Sequence, residues 1–207
     1  MVTIRNPIAR IGALLAVVVM AGCSGTPSYP PAPAQTGSYD WNYLVGPGDS
    51  VQVFVWRNPE VSGSFPVRPD GKMTMNLVED LPASGKTPTQ LARDIEKALS
   101  KYIQEPIVTV IVAGGIGPFD QQIRVVGEAA TPQALNYREN MSLVDLMIAV
   151  GGLTDFAAGN KAYILRTVDG KQTRLRVRLK DLLKGGDISA NVDVRPGDVL
   201  VVPESLF

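Results

Sequence analysis

Few side chains in this 207-residue chain have types and spacings that could do chemistry. There is no histidine and a single cysteine, Cys23, which excludes Cys/His zinc sites, Ser-His-Asp triads, Cys-His dyads and an intrachain disulfide. Paired carboxylates can cleave a glycosidic bond, and Glu79-Asp80 with Glu60 are the acids available for it. Adjacent acids are common on surfaces and no nucleophile-base pair can be assembled around these, so no catalytic residue is assigned. Gly85-Lys86-Thr87 opens a helical stretch as the end of a P-loop would, but that motif needs a glycine where Asp80 stands. "GGIGPF" (114–119) lacks the third glycine of a dinucleotide fingerprint and runs into a strand-like "QQIRVVGE", so it reads as a linker. No cofactor and no metal are expected.

Two other features recur. Pro47-Gly48-Asp49 and Pro196-Gly197-Asp198 each precede alternating valines. Pro fixes φ at one turn position, Gly supplies positive φ at the next and Asp can bond its own backbone, so both copies read as turns that need bind nothing. Arg166, Arg174, Arg176 and Arg178 make one hairpin basic. A solvated strand face is the expectation, with a site for an acidic glycan as the alternative. Met141 and Met147 fall in a helical stretch and read as core fillers.

The elements that carry these residues follow from periodicity. Val51, Val53 and Val55 alternate with Gln52, Phe54 and Trp56, which suggests a strand covered on both faces. "SFPVRPDGKMTMNL" reads as a hairpin about Pro69-Asp70-Gly71. Thr87, Pro88 and Gln90 form a helix start with a capping box. Leu91, Ile95, Leu99 and Tyr102 then share one helical face before Pro106, and "IVTVIV" (107–112) is a further buried strand. In the second half, "QIRVVGEAATPQALNY" gives two short strands. Ser142 caps a helix with Leu143, Leu146, Met147 and Val150 on its apolar stripe, ended by Gly151-Gly152. A hairpin about Asp169-Gly170, a helical turn "KDLLK" and a closing strand after Pro196-Gly197-Asp198 complete an α+β chain.

Twenty basic and twenty acidic residues cancel, so the chain lacks the charge of a nucleic-acid binder. Its N-terminus is distinctive. Arg5 and Arg10 precede an apolar run from Ile11 to Ala21, about 16 Å as a helix and too short for the ~30 Å hydrocarbon core, so residues 1–22 read as a signal peptide. Met20-Ala21-Gly22-Cys23 resembles the bacterial lipobox, which implies cleavage before Cys23 and acylation of its sulfur, with palmitate the label to follow. Several acyl chains, each CH₂ contributing ~0.8 kcal/mol, would hold the protein to a bilayer. Residues 23–38, rich in Pro, Ser and Gly, read as a tether of up to about 45 Å.

The ordered set of motifs behind that lipobox resembles the bacterial polysaccharide export proteins of the outer-membrane Wza type. Tyr43, Gly46 to Asp49, Trp56, Pro59-Glu60 and Pro69 to Lys72 resemble the opening of the family's export domain, and Leu91 to Val112 its closing helix and strand. Val126-Gly127-Glu128, Gly151-Gly152-Leu153 and Pro196-Gly197-Asp198 resemble the soluble-ligand-binding β-grasp (SLBB) module. The resemblance implies an export domain over 39–113, a linker over 114–120 and an SLBB domain over 121–207. It also implies a lipoprotein attached through Cys23 to the outer membrane and facing the periplasm, an address that Ser24 after the cysteine favours.

By the same resemblance the protein is a non-enzymatic homo-oligomeric ring that conducts capsular or exopolysaccharide, with an inner-membrane polysaccharide co-polymerase as partner and no nucleic acid. Longer relatives continue into an amphipathic helix that lines a pore, whereas this sequence stops at "VVPESLF", so a separate outer-membrane β-barrel is expected to supply the pore. The competing expectation is a monomeric periplasmic glycan-binding or scaffold lipoprotein.

Overall fold

The computed structural model describes residues 29–33, 41–168 and 170–205. The expected signal peptide and Cys23 lie outside the described residues, as does Asp169. The chain is α+β, with two hydrophobic clusters that divide along the sequence.

The first cluster forms around strand β1 (Ser50–Val55), the centre of a three-stranded antiparallel sheet ordered β2-β1-β5, with β2 at Gly63–Pro66 and β5 at Val108–Ala113. The period of two sends Val51, Val53 and Val55 inward against helix α1 (Pro88–Leu99) and the two-stranded pair β3 (Lys72–Met75) and β4 (Val78–Pro82). α1 begins as expected: the Gln90 N–H donates to the Thr87 hydroxyl at 3.2 Å and the Thr87 N–H donates to Gln90 Oε1 at 2.9 Å. Its buried face is Leu91, Ala92, Ile95 and Leu99.

Four local expectations are corrected. The second face of β1 is open, with Phe54 48% and Trp56 54% exposed, because nothing packs over the sheet on that side among the described residues. The turn at Arg68–Gly71 forms, but β2 pairs with β1 while β3 pairs with β4, so the flanking runs are strands of different sheets. Tyr102 lies past the end of α1 and is exposed, since the helix stops at Leu99. β5 alternates, with Val108 buried and Ile107 and Ile111 exposed, because it is an edge strand with the same open face as β1.

The second cluster is enclosed by a five-stranded sheet ordered β7-β6-β10-β8-β9. These strands are β6 (Ile123–Gly127), β7 (Ala134–Leu135), β8 (Tyr163–Val168), β9 (Lys171–Arg176) and β10 (Val199–Val202). The chain's last strand, β10, enters the middle of the sheet, parallel to β6 and antiparallel to β8. Helix α2 (Leu143–Ala149) buries Leu143, Leu146 and Met147, and the short α3 (Leu179–Leu183) buries Leu179 and Leu182. Asp145 accepts from both the N–H and the hydroxyl of Ser142, which fixes the start of α2 and holds its carboxyl below the usual carboxylate range. Gly151 and Gly152, at φ 76° and 89°, end the helix as expected.

Candidate functional site at the domain seam

The two Pro-Gly-Asp turns are built alike. In the first, the Asp49 N–H donates to the Gly46 carbonyl at 3.2 Å and the Gly46 N–H donates to Asp49 Oδ2 at 2.8 Å. In the second, the Asp198 N–H donates to the Arg195 carbonyl at 3.1 Å and the Arg195 N–H donates to Asp198 Oδ2 at 2.8 Å. Gly48 and Gly197 take the positive φ the turns require, 90° and 82°. The turn expectation holds for both. Each aspartate is also buried, Asp49 at 0% and Asp198 at 1%, and a buried carboxylate needs more partners than one turn provides.

Asp49 finds them across the chain. Its Oδ1 accepts from the N–H of Ile116 at 2.7 Å and of Gly117 at 3.2 Å, and its Oδ2 from the Tyr43 hydroxyl. The "GGIGPF" segment is thus clamped onto the first domain by the side chain of Asp49. A Cβ at Gly46 would meet the Gly117 carbonyl carbon at 2.0 Å, so only glycine permits this approach. Burial first, and then the hydrogen bond and charge of Asp49, push the Tyr43 phenol well above its usual range, so it remains a protonated donor at all ordinary pH.

Aromatic rings close the seam between the two domains. Trp41 packs edge-on against Tyr43 at 6.0 Å between centroids and against Tyr137 of the second domain at 5.0 Å. The Trp41 indole N–H is buried with no acceptor among the described residues. Beside these rings lies a cavity of about 420 Å³ lined by Trp41, Tyr43, Gly114, Gly115 and residues 136–139. The same loop, through Asn136, Arg138 and Glu139, borders a second cavity of about 680 Å³ that reaches Met141, Asp145 and Ile148. Apolar ring surface beside an amide, a guanidinium and a carboxylate can pack on and hydrogen-bond to a hydroxylated ring, and domain interfaces are favoured places for such pockets.

The remaining expected site residues fall elsewhere. Arg166 is corrected from a solvated position to a buried one, 6% exposed, where Nε and Nη2 donate to the two oxygens of Asp198 at 2.9 and 2.7 Å and Nη2 also donates to the Asp193 carbonyl at 3.1 Å. Arg178 pairs with Asp181 and Asp187, and Arg174 lies over the rings of Tyr29 and Tyr163. "VEDLP" is strand β4, which turns back toward Gly71 and does not feed a phosphate loop. Lys86 pairs with Asp94 on α1. Asp80 pairs with Arg68 at 2.6 Å on the open surface, and Glu60 and Glu79 are exposed. Among the described residues no helix is long and apolar enough to cross a membrane. Trp41 and Tyr137 were not legible as seam residues, because neither carries a local motif and they meet only through the tertiary fold.

The fold and this clamp define a class: a β-sheet export-type domain joined through a glycine-rich crossing to a β-grasp domain. Two family models match in that order, the polysaccharide biosynthesis/export protein over residues 38–113 and the SLBB domain over 122–176. The chain belongs to the polysaccharide export proteins. It is 26% identical over 187 residues to the EPS I polysaccharide export outer membrane protein EpsA of Ralstonia nicotianae, covering 78% of this chain and 47% of that protein. It is 30% identical over 124 residues to the exopolysaccharide production protein ExoF of Rhizobium meliloti, 54% of this chain and 28% of the relative. It is 22% identical over 188 residues to the polysialic acid transport protein KpsD of Escherichia coli, 89% of this chain and 33% of the relative. The chain therefore spans less than half the length of these relatives. Their names describe export, production and transport of polysaccharide and none describes an enzyme.

Proposed function

We propose that this protein is an outer-membrane lipoprotein of a capsular or exopolysaccharide export machine, anchored through acylated Cys23 and assembled into a periplasmic ring that conducts the polysaccharide. The observation that carries the reading is the ordered pair of an export domain and an SLBB domain, shared with proteins named for polysaccharide export. The mechanism is confinement: ring walls enclose a hydrated passage, and an inner-membrane co-polymerase supplies chain and direction. The open face of the β2-β1-β5 sheet, carrying Phe54, Trp56, Ile107 and Ile111, supports self-assembly, since exposed apolar clusters of this kind mark contact surfaces.

Light scattering on the detergent-extracted lipidated protein tests it. A closed assembly of many subunits is expected, and a strict monomer at high concentration, also in the presence of the co-polymerase, would overturn it. Palmitate incorporation that survives Cys23→Ser would remove the anchor. A second reading, a monomeric glycan-binding lipoprotein, draws on the aromatic seam cavity; it predicts saturable binding of polysaccharide fragments by the monomer, lost in Trp41→Ala.

A further inference from the structure

The segment expected to be tether is partly bridged to the second sheet. The Arg176 N–H donates to the Pro30 carbonyl at 2.8 Å and the Ala32 N–H donates to the Arg176 carbonyl at 3.0 Å, which lays residues 30–32 parallel to β9 at the edge of the second sheet. Tyr29 is held at the same edge. The Arg174 Nη1 donates to its hydroxyl at 2.6 Å, the guanidinium sits 5.3 Å from its ring centroid, and the ring tilts against Tyr163 at 5.7 Å. Ala32 packs against the core of the second domain.

The prolines determine what this added strand can do. In an extended segment the N–H and C=O groups of alternate residues face opposite sides. Pro30 and Ala32 face β9, so residues 31 and 33 face outward, and both are proline with no N–H to offer. An edge capped this way cannot template another strand. The edge of β9 is therefore covered by the chain itself and is not open to a neighbouring subunit.

From this clamp we infer that the β9 side of the second domain is a lipid-facing surface. The inference rests on the lipid anchor at Cys23 proposed above. Only residues 24–28 separate Cys23 from Tyr29, and at no more than about 3.6 Å per residue they reach at most about 22 Å, half the span of an unclamped tether. β9 reads Lys-Gln-Thr-Arg-Leu-Arg, with Lys171, Arg174 and Arg176 and no acidic residue, a composition that suits anionic headgroups.

The test uses the full-length acylated protein in nanodiscs of phosphatidylethanolamine and phosphatidylglycerol that carry a headgroup acceptor dye. Donor dye is placed through Thr173→Cys on β9 or Thr109→Cys on β5, both exposed positions. Energy transfer several-fold stronger from position 173 is expected, and Tyr29→Ala with Arg174→Ala should reduce it to about the level at position 109. Bound protein with equal or reversed transfer overturns the lipid-facing assignment alone. Failure to associate with the discs overturns the anchor and the lipid face together. Hydrogen exchange checks the clamp without lipid: the Ala32 amide should exchange at least tenfold more slowly than in the double variant, and an equal rate overturns the strand.

Discussion

The turns at Gly46–Asp49 and Arg195–Asp198 share a backbone and one hydrogen bond, from the N–H of the first residue to the aspartate, and differ in everything else the aspartate touches. Asp49 is surrounded by neutral donors, three backbone N–H groups and a phenol, and two of those N–H groups belong to the segment that crosses between domains. Asp198 is matched by a guanidinium from β8, in the interior of one domain. The first residue of each turn records the difference. Gly46 has no room for a Cβ because the crossing segment lies on it, whereas Arg195 carries a long side chain at the equivalent place. One turn motif thus serves as a clasp between domains and as a cross-brace within one, and the partners alone decide which.

The comparison can be broken most forcefully at the cross-brace. Asp198→Ala leaves Arg166 buried without its counter-charge and should cost about 3–5 kcal/mol in denaturant unfolding of the second domain. Replacing both partners, Arg166→Met with Asp198→Leu, should recover most of that loss, because the penalty is the unpaired charge. A double variant as unstable as the single one would show that the brace holds by geometry and not by charge.

At the clasp the expected effect is smaller and differently placed. Asp49→Ala removes the acceptor of the Ile116 and Gly117 N–H groups and should cost about 2–3 kcal/mol. Both domains should stay folded while limited proteolysis within 114–117 accelerates. If cleavage there is unchanged and the second domain melts earlier instead, the two aspartates do not have separate roles.

Smaller still, Gly46→Ala should cost roughly 1–3 kcal/mol by forcing the crossing segment away, while Arg195→Ala should cost less than about 1 kcal/mol. Equal costs in calorimetry would erase the asymmetry between the turns. The mildest effect is acid sensitivity at α2. The Ser142 hydrogen bonds lower the Asp145 carboxyl below 3.8, so its contribution is complete above that pH and is lost as pH falls through the lower folded value. Asp145→Ala should cost about 0.5–2 kcal/mol at neutral pH and flatten the acid limb of the stability curve.

Much of the fold was readable before the structure. Thr87, Gln90, Ser142 and Gly151-Gly152 fixed helix ends because capping is decided within a few residues. The hairpin around Gly170 and the closing strand were equally local. Face exposure was less readable. The aromatic residues Phe54 and Trp56 suggested burial on both sides of β1, yet alternation reports only that two faces differ, not whether the second is covered. Of the candidate site, the turns were visible and their partners were not. Arg166 looked like one of several surface cations, since nothing beside it in sequence announces Asp198, 32 residues away.

The sequence by itself determined where the chain turns, the apolar stripes by which β1 and the first two helices meet their cores, and, through the ordered motifs, the export-and-SLBB architecture. These rest on short-range sterics and on hydrophobic period, both written in neighbouring residues. Only the tertiary structure decided that Asp49 clasps the crossing segment, that Arg166 is buried on Asp198, and that residues 29–33 cap β9. Each of these joins groups far apart along the chain, and a buried charge or an open strand edge selects its partner by proximity in the folded state.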